Sequence, residues 1–120
     1  MGAEDDRIVV EPHPGRVRVL FHGRTVVDSR RRALSLREAG RAPVLYLPRE
    51  DADAGLLERT SHRTRCPYKG EAAYFSLRVG DEVAENAVWS YEQPIPQAAA
   101  IAGHLAFYPD KVEIVADPAG

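Results

Sequence analysis

The side chains with most chemical capacity are gathered in one short run, Thr64-Arg65-Cys66-Pro67-Tyr68-Lys69-Gly70. A thiol and an ammonium three residues apart meet if the chain turns tightly between them. A cation beside a thiol favours the thiolate, the nucleophilic form, so Cys66 activated by Lys69 is one candidate for a catalytic pair. The same residues have a plainer use, with Cys66 a small buried hydrophobe and Lys69 a solvated turn residue. Usage of basic residues weighs on this choice. The chain employs arginine for 14 of its 16 basic positions and lysine only at 69 and 111, which hints that position 69 needs a compact ammonium where a guanidinium would not serve.

A second group is aromatic. Tyr74, Trp89 and Tyr91 alternate along their segments with Phe75, Leu77 and Val88, so the two sets occupy opposite faces. The tyrosines and the tryptophan therefore either line a concave ligand pocket or form a second layer of core, and Tyr46 joins either arrangement. Asp51-Ala52-Asp53 has the spacing of carboxylates that share Mg²⁺, which is also the pattern of aspartates at helix starts. Arg30-Arg31-Arg32 reads as a solvated loop more readily than as a phosphate grip. His13, His22, His62 and His104 lack the spacing of a metal site, and no metal or cofactor is expected. Glycine-rich phosphate loops, nucleophile elbows and a glycosidase-type carboxylate pair are missing from the sequence.

The elements that must position these residues read mostly as strands. Arg16 to Val27 alternates, breaks at His22-Gly23 and resumes, which is a hairpin. Val44 to Leu47 is a short strand fenced by Pro43 and Pro48. Glu71 to Val79 alternates, with Ala73, Phe75, Leu77 and Val79 on one face; Gly80-Asp81 turns the chain; Val83 to Tyr91 returns with Ala87, Trp89 and Tyr91 on one face. The 64–70 run is predicted to be a loop before that strand. Leu105 to Tyr108, a Pro109-Asp110 turn and Val112 to Val115 read as a last hairpin. Pro96 to Gly103 predicts a helix of about two turns, by the rule of proline at the start and glycine at the end. Asp53 to Arg59 predicts another one or two helical turns. Ser35 to Gly40 fits either a helical turn or an extended loop.

Length and charge bound the answer. With 120 residues and a net charge of −2, the chain has room for a single domain and one modest core. The first 50 residues carry a net charge of +3 and the remainder −5, a polarity too small for a nucleic-acid backbone binder. One cysteine allows no intramolecular disulfide and no zinc site built on several thiolates. No segment is apolar enough to span a membrane, and the acidic start is unlike a signal peptide, so a cytoplasmic protein without nucleic-acid or membrane partners is expected.

Tyr46-Leu47-Pro48-Arg49-Glu50-Asp51, Leu56-Leu57, Thr64 to Gly70 with Ala73-Tyr74, Ala87 to Tyr91 with Pro94, and Ile101 with Ala106-Phe107-Tyr108 together resemble the bacterial family numbered 427 among the domains of unknown function. The resemblance covers residues 8–116, and its most specific parts are Cys-Pro-Tyr-Lys-Gly and Trp-Ser-Tyr. It implies a mainly β chain built as a small β-tent, two antiparallel sheets meeting at an angle with one or two short helices. Many β-tents carry a four-cysteine zinc site, which a single cysteine cannot supply, so apolar packing must hold the sheets here. Some relatives of that fold hold a ligand in an aromatic pocket. The positions that match the family and would carry its site are Glu38, Tyr46, Thr64, Cys66, Lys69, Tyr74, Trp89 and Tyr91. The family has also been labelled nucleotidyltransferase-like, for which this sequence offers only Asp51 and Asp53 toward Mg²⁺.

These readings converge on a small-molecule binding module whose pocket lies between two sheets, and whether it is an enzyme stays open. Lys69 and Arg65 would meet an anionic group of the ligand, Tyr74, Trp89 and Tyr91 would stack on its body, and Thr64 and Glu38 would add hydrogen bonds. Thiol chemistry at Cys66 and a ligand-free interaction domain are the alternatives; monomer and homodimer are both compatible with exposed strand edges.

Overall fold

The structure, a computed structural model, describes residues 8–117, and ten strands in three antiparallel sheets make up most of them. β1 (Ile8–His13), β4 (Ala33–Glu38) and β5 (Val44–Tyr46) form one sheet in the order β1-β4-β5. β2 (Val17–Phe21), β3 (Arg24–Ser29) and β10 (Glu113–Ala116) form a second, in the order β10-β2-β3. β6 (Leu57–Cys66), β7 (Gly70–Val79), β8 (Glu82–Ser90) and β9 (Ala106–Phe107) form the third in chain order. The chain is thus mainly β, as expected, but with three sheets in place of two. A single bridge, Leu47 to Leu105, joins the ends of β5 and β9, and another, Val27 to Ala52, fastens the 49–52 segment to β3.

Alternation decides where each strand packs. Val17, Val19 and Phe21 of β2 are buried while Arg18 and Leu20 stay partly exposed. They meet Val26, Val27, Phe75, Leu77, Val88 and Phe107 in one apolar cluster. The opposite face of the four-stranded sheet contributes Ala72, Tyr74 and Ala106 to another cluster, with Tyr91 from just past β8 and Leu36 and Tyr46 from the β1-β4-β5 sheet. The four-stranded sheet therefore carries core on both faces. Ala87 departs from the expected face: it lies with Val88 in the first cluster, because Asn86 at φ 51° marks a break in the β7–β8 register.

Several expectations are corrected. The β2–β3 hairpin turns at His22 (φ 49°) and Gly23 (φ 76°) as anticipated, both left-handed as a two-residue hairpin turn requires. Leu105–Tyr108 and Val112–Val115, however, do not pair with each other. β9 joins β8, with Trp89 opposite Ala106, and β10 crosses to β2, with Ile114 opposite Val19. Asp53 to Arg59 is no helix; Asp53 accepts the Gly55 N–H at 3.0 Å and caps a single 3-10 turn, Ala54–Leu56, after which β6 begins at Leu57. The predicted helix Pro96–Ile101 is 3-10 in form and broken at Ala98 (φ −110°). Ser35 to Glu38 belongs to strand β4, and Thr64 to Cys66 finish strand β6, which leaves only Pro67 to Lys69 as the loop. Among the described residues no helix is long and apolar enough to cross a membrane.

Candidate functional site

Between the β1-β4-β5 sheet and the four-stranded sheet lies a cavity of about 300 Å³. β4 lends it Glu38, β5 lends Tyr46, β7 lends Tyr74 and β8 lends Trp89, while Lys69, Tyr91 and Tyr108 enter from connecting segments. Six of the expected residues thus converge: Glu38, Tyr46, Lys69, Tyr74, Trp89 and Tyr91. The expected choice between pocket wall and second core layer dissolves, since Tyr46, Tyr74 and Tyr91 belong to the core and also line the cavity.

Lys69 is held in place by both its backbone and its side chain. Its backbone N–H donates to Cys66 O at 3.2 Å and its carbonyl accepts from Ile95 N at 3.0 Å, so the turn is pinned from both sides. Gly70 follows at φ +115°, where a Cβ would lie 3.3 Å from Pro94 Cα, and the close approach of the 93–95 segment thus requires glycine. With only 9% of its side chain exposed, Lys69 directs its ammonium to the carboxylate of Glu38, an ion pair that is itself mostly buried. The same Nζ stands 5.8 Å from the centre of the Tyr91 ring. Glu38 is held by the turn that ends β4, in which Arg41 N donates to Glu38 O at 3.0 Å.

The phenols form a connected lining. Trp89 Nε1 donates to Tyr46 Oη at 3.2 Å, and since an indole can only donate, the Tyr46 hydroxyl hydrogen remains to be given elsewhere. Burial pushes the Tyr46 phenol up to about 12. Tyr108 is likewise raised to about 12, by burial first and then by its hydrogen bond with Tyr74, and burial raises Tyr91 as well. These three phenols are neutral hydrogen-bond donors at ordinary pH. The Trp89 and Tyr108 rings lie 4.6 Å apart between centroids, and Thr64 Oγ1 holds the Tyr74 hydroxyl at 2.9 Å from one layer behind the cavity wall.

Other expected residues fall elsewhere. Cys66 is half-buried beside the second apolar cluster, and the Lys69 ammonium that was to activate it is engaged by Glu38. Arg65 lines a different cleft with Arg63, Glu71 and Glu92, away from the cavity. Asp51 accepts from Arg32 at 2.9 Å and Asp53 caps its 3-10 turn, so the two carboxylates have separate structural tasks. No group of three His, Cys, Asp or Glu suited to a metal occurs among the described residues.

Five lining residues were not among the expected site residues, Leu36, Arg41, Ala42, Val44 and Tyr108, and of these Arg41 and Tyr108 bring polar groups. Arg41 follows Gly40, whose φ of +80° makes the turn that swings it to the cavity mouth. Tyr108 was legible by parity, since alternation sets it opposite Phe107 and on the face of Ala106. Residues 9–118 match the family model described as a domain of unknown function (DUF427). No curated protein matches the chain.

Proposed function

The chain belongs to the DUF427 family, which carries no assigned activity, and from that premise we propose that it binds a small, largely planar metabolite in the cavity between the sheets. The observation that carries this reading is the convergence of a buried Glu38–Lys69 ion pair with four tyrosines and the one tryptophan on a single cavity. A buried ion pair is rarely a gain in stability over apolar packing, so its presence in a cavity wall favours a task beyond folding. The volume of about 300 Å³ is at the small end of ligand pockets, which suits a metabolite and not a nucleotide. An anionic group on that ligand would meet Arg41 at the mouth, because the charge of Lys69 is already matched by Glu38.

Trp89 is a built-in reporter, being the sole tryptophan and a cavity wall. Titration with a panel of small aromatic and aliphatic metabolites is expected to change its fluorescence saturably. Ala42 is exposed and lines the same cavity, so Ala42→Trp would plug the opening without disturbing the core. In that variant, ligand-observed NMR should report lost binding while circular dichroism reports an intact fold. Equal binding by the plugged variant would remove the cavity from consideration.

A further inference from the structure

The chain has two lysines with opposite fates. Lys111 is exposed, whereas Lys69 is buried against Glu38 in the wall of the cavity. Two charges held in contact in a mostly buried wall have an alternative that exposed pairs lack, namely transfer of one proton to give a neutral amine and a carboxylic acid. A ligand that fills the cavity and expels its water favours that neutral form. The result is an amine nucleophile with an acid in contact with it and, in the same wall, the neutral phenols of Tyr46 and Tyr108 as hydrogen-bond donors.

We infer that Lys69 condenses reversibly with a small aldehyde or ketone in this cavity to form an imine, with Glu38 as the proton carrier. This rests on the reading of the cavity as a ligand site and names the class of ligand. Glu38 first takes a proton from the ammonium. The freed Nζ lone pair attacks the carbonyl carbon, and the C=O π pair moves to oxygen, which gains a proton from the attacking nitrogen and becomes a hydroxyl. Glu38 then returns its proton to that hydroxyl, the C–O bond breaks and water departs. The product is a protonated imine beside a carboxylate, so two of the three ammonium protons leave in the water and no oxidant or reductant is consumed. Tyrosine hydroxyls in the wall can polarise the carbonyl oxygen during the attack.

The test uses the whole protein, benzaldehyde as the probe and cyanoborohydride to trap any imine as a stable benzyl amine, located by peptide mass mapping. Lys69 is expected to be labelled at least about 10-fold faster than Lys111, and Glu38→Gln to slow that labelling about 100-fold, the usual scale for a general acid-base group. Benzyl alcohol, which cannot condense, should change Trp89 fluorescence saturably in the wild type, and circular dichroism should report that Glu38→Gln is folded. The paired variant Glu38→Gln with Lys69→Met should lose the label while circular dichroism reports an intact fold. A fluorescence response without preferential labelling of Lys69, or labelling indifferent to Glu38→Gln, overturns the imine while leaving the cavity a ligand site. Absence of both a response and a label overturns the imine together with the binding reading for molecules of this kind.

Discussion

Lys69 and Glu38 stand 31 positions apart in the chain and each depends on the other, because neither charge has water enough to stand alone. Removal of one partner leaves the other buried and unpaired. Lys69→Met is therefore expected to cost about 3–5 kcal/mol in urea unfolding, and the paired change with Glu38→Gln to recover most of it. A paired variant as unstable as the single one would mean that packing, and not charge, is what Lys69 supplies. The phenols make a second forecast at this scale. Unfolded tyrosines ionise near pH 10, whereas Tyr46 and Tyr108 are held at about 12 in the fold. Their raised values favour the native state fully below pH 10 and lose that contribution as pH rises through 12. Alkaline unfolding followed by phenolate absorbance should thus begin between these limits, and Tyr46→Phe should flatten the decline. Tyr46→Phe also removes the acceptor of the Trp89 indole, with an expected cost of about 1 kcal/mol at neutral pH.

At the scale of elements, two joints hold the site's neighbours in line. Gly70 sits where β6 and β7 meet, at a φ of +115° and with an added Cβ pressing on Pro94 Cα at 3.3 Å. Gly70→Ala is expected to cost about 1–3 kcal/mol through backbone strain, and to weaken cavity binding too, because Lys69 is the residue before it. The other joint is Glu92, which receives Arg59 at 2.7 Å and Arg49 at 2.9 Å, while both guanidinium groups lie 4.9 Å from the Phe75 ring centre. It links the 3-10 turn Arg49–Asp51 and β6 to the segment after β8. The hydrogen bonds from Arg59 hold the Glu92 carboxyl down at about 2, against the opposing effect of burial. A depressed acid stabilises the fold above its unfolded value near 4.5 and loses that contribution as pH falls through 2. Denaturation midpoints should drop across this window in the wild type and less in Glu92→Gln. These joints explain what the sequence disclosed. The His22-Gly23 hairpin and the 71–91 strand pair are local, so alternation and turn chemistry suffice. The helical reading of 96–101 holds in 3-10 form, whereas that of 53–59 shrinks to the one turn Ala54–Leu56, because a cap starts a turn that only sustained hydrogen bonding continues and β6 takes the backbone from Leu57.

For the molecule as a whole, what escaped local reading is how the sheets close. β10 could not be assigned from its neighbours, because its partner β2 lies some 95 residues earlier and nothing in the spacing of Val112 to Val115 names it. The site was legible to the extent that it follows parity: Trp89 and Tyr91 share a face by alternation, and Tyr74 joins them because it pairs with Trp89 across β7 and β8. Lys69 and Glu38 come together only through the arrangement of two sheets, which composition cannot reveal. Truncation after Asp110 should expose the β2 edge and remove the contacts of Val112 and Ile114 with the first apolar cluster. The expected results are a lower melting temperature and strand-mediated association, read by light scattering; a monomer of unchanged melting temperature would show β10 to be dispensable. The same pairing has a consequence during synthesis. Residues 17–21 must wait for residues 113–116 to leave the ribosome, an interval of about 5–20 s at ordinary elongation rates. Until then the early hairpin offers one naked hydrogen-bonding edge to the cell, so the nascent chain is a natural client for chaperones in a way the finished protein is not.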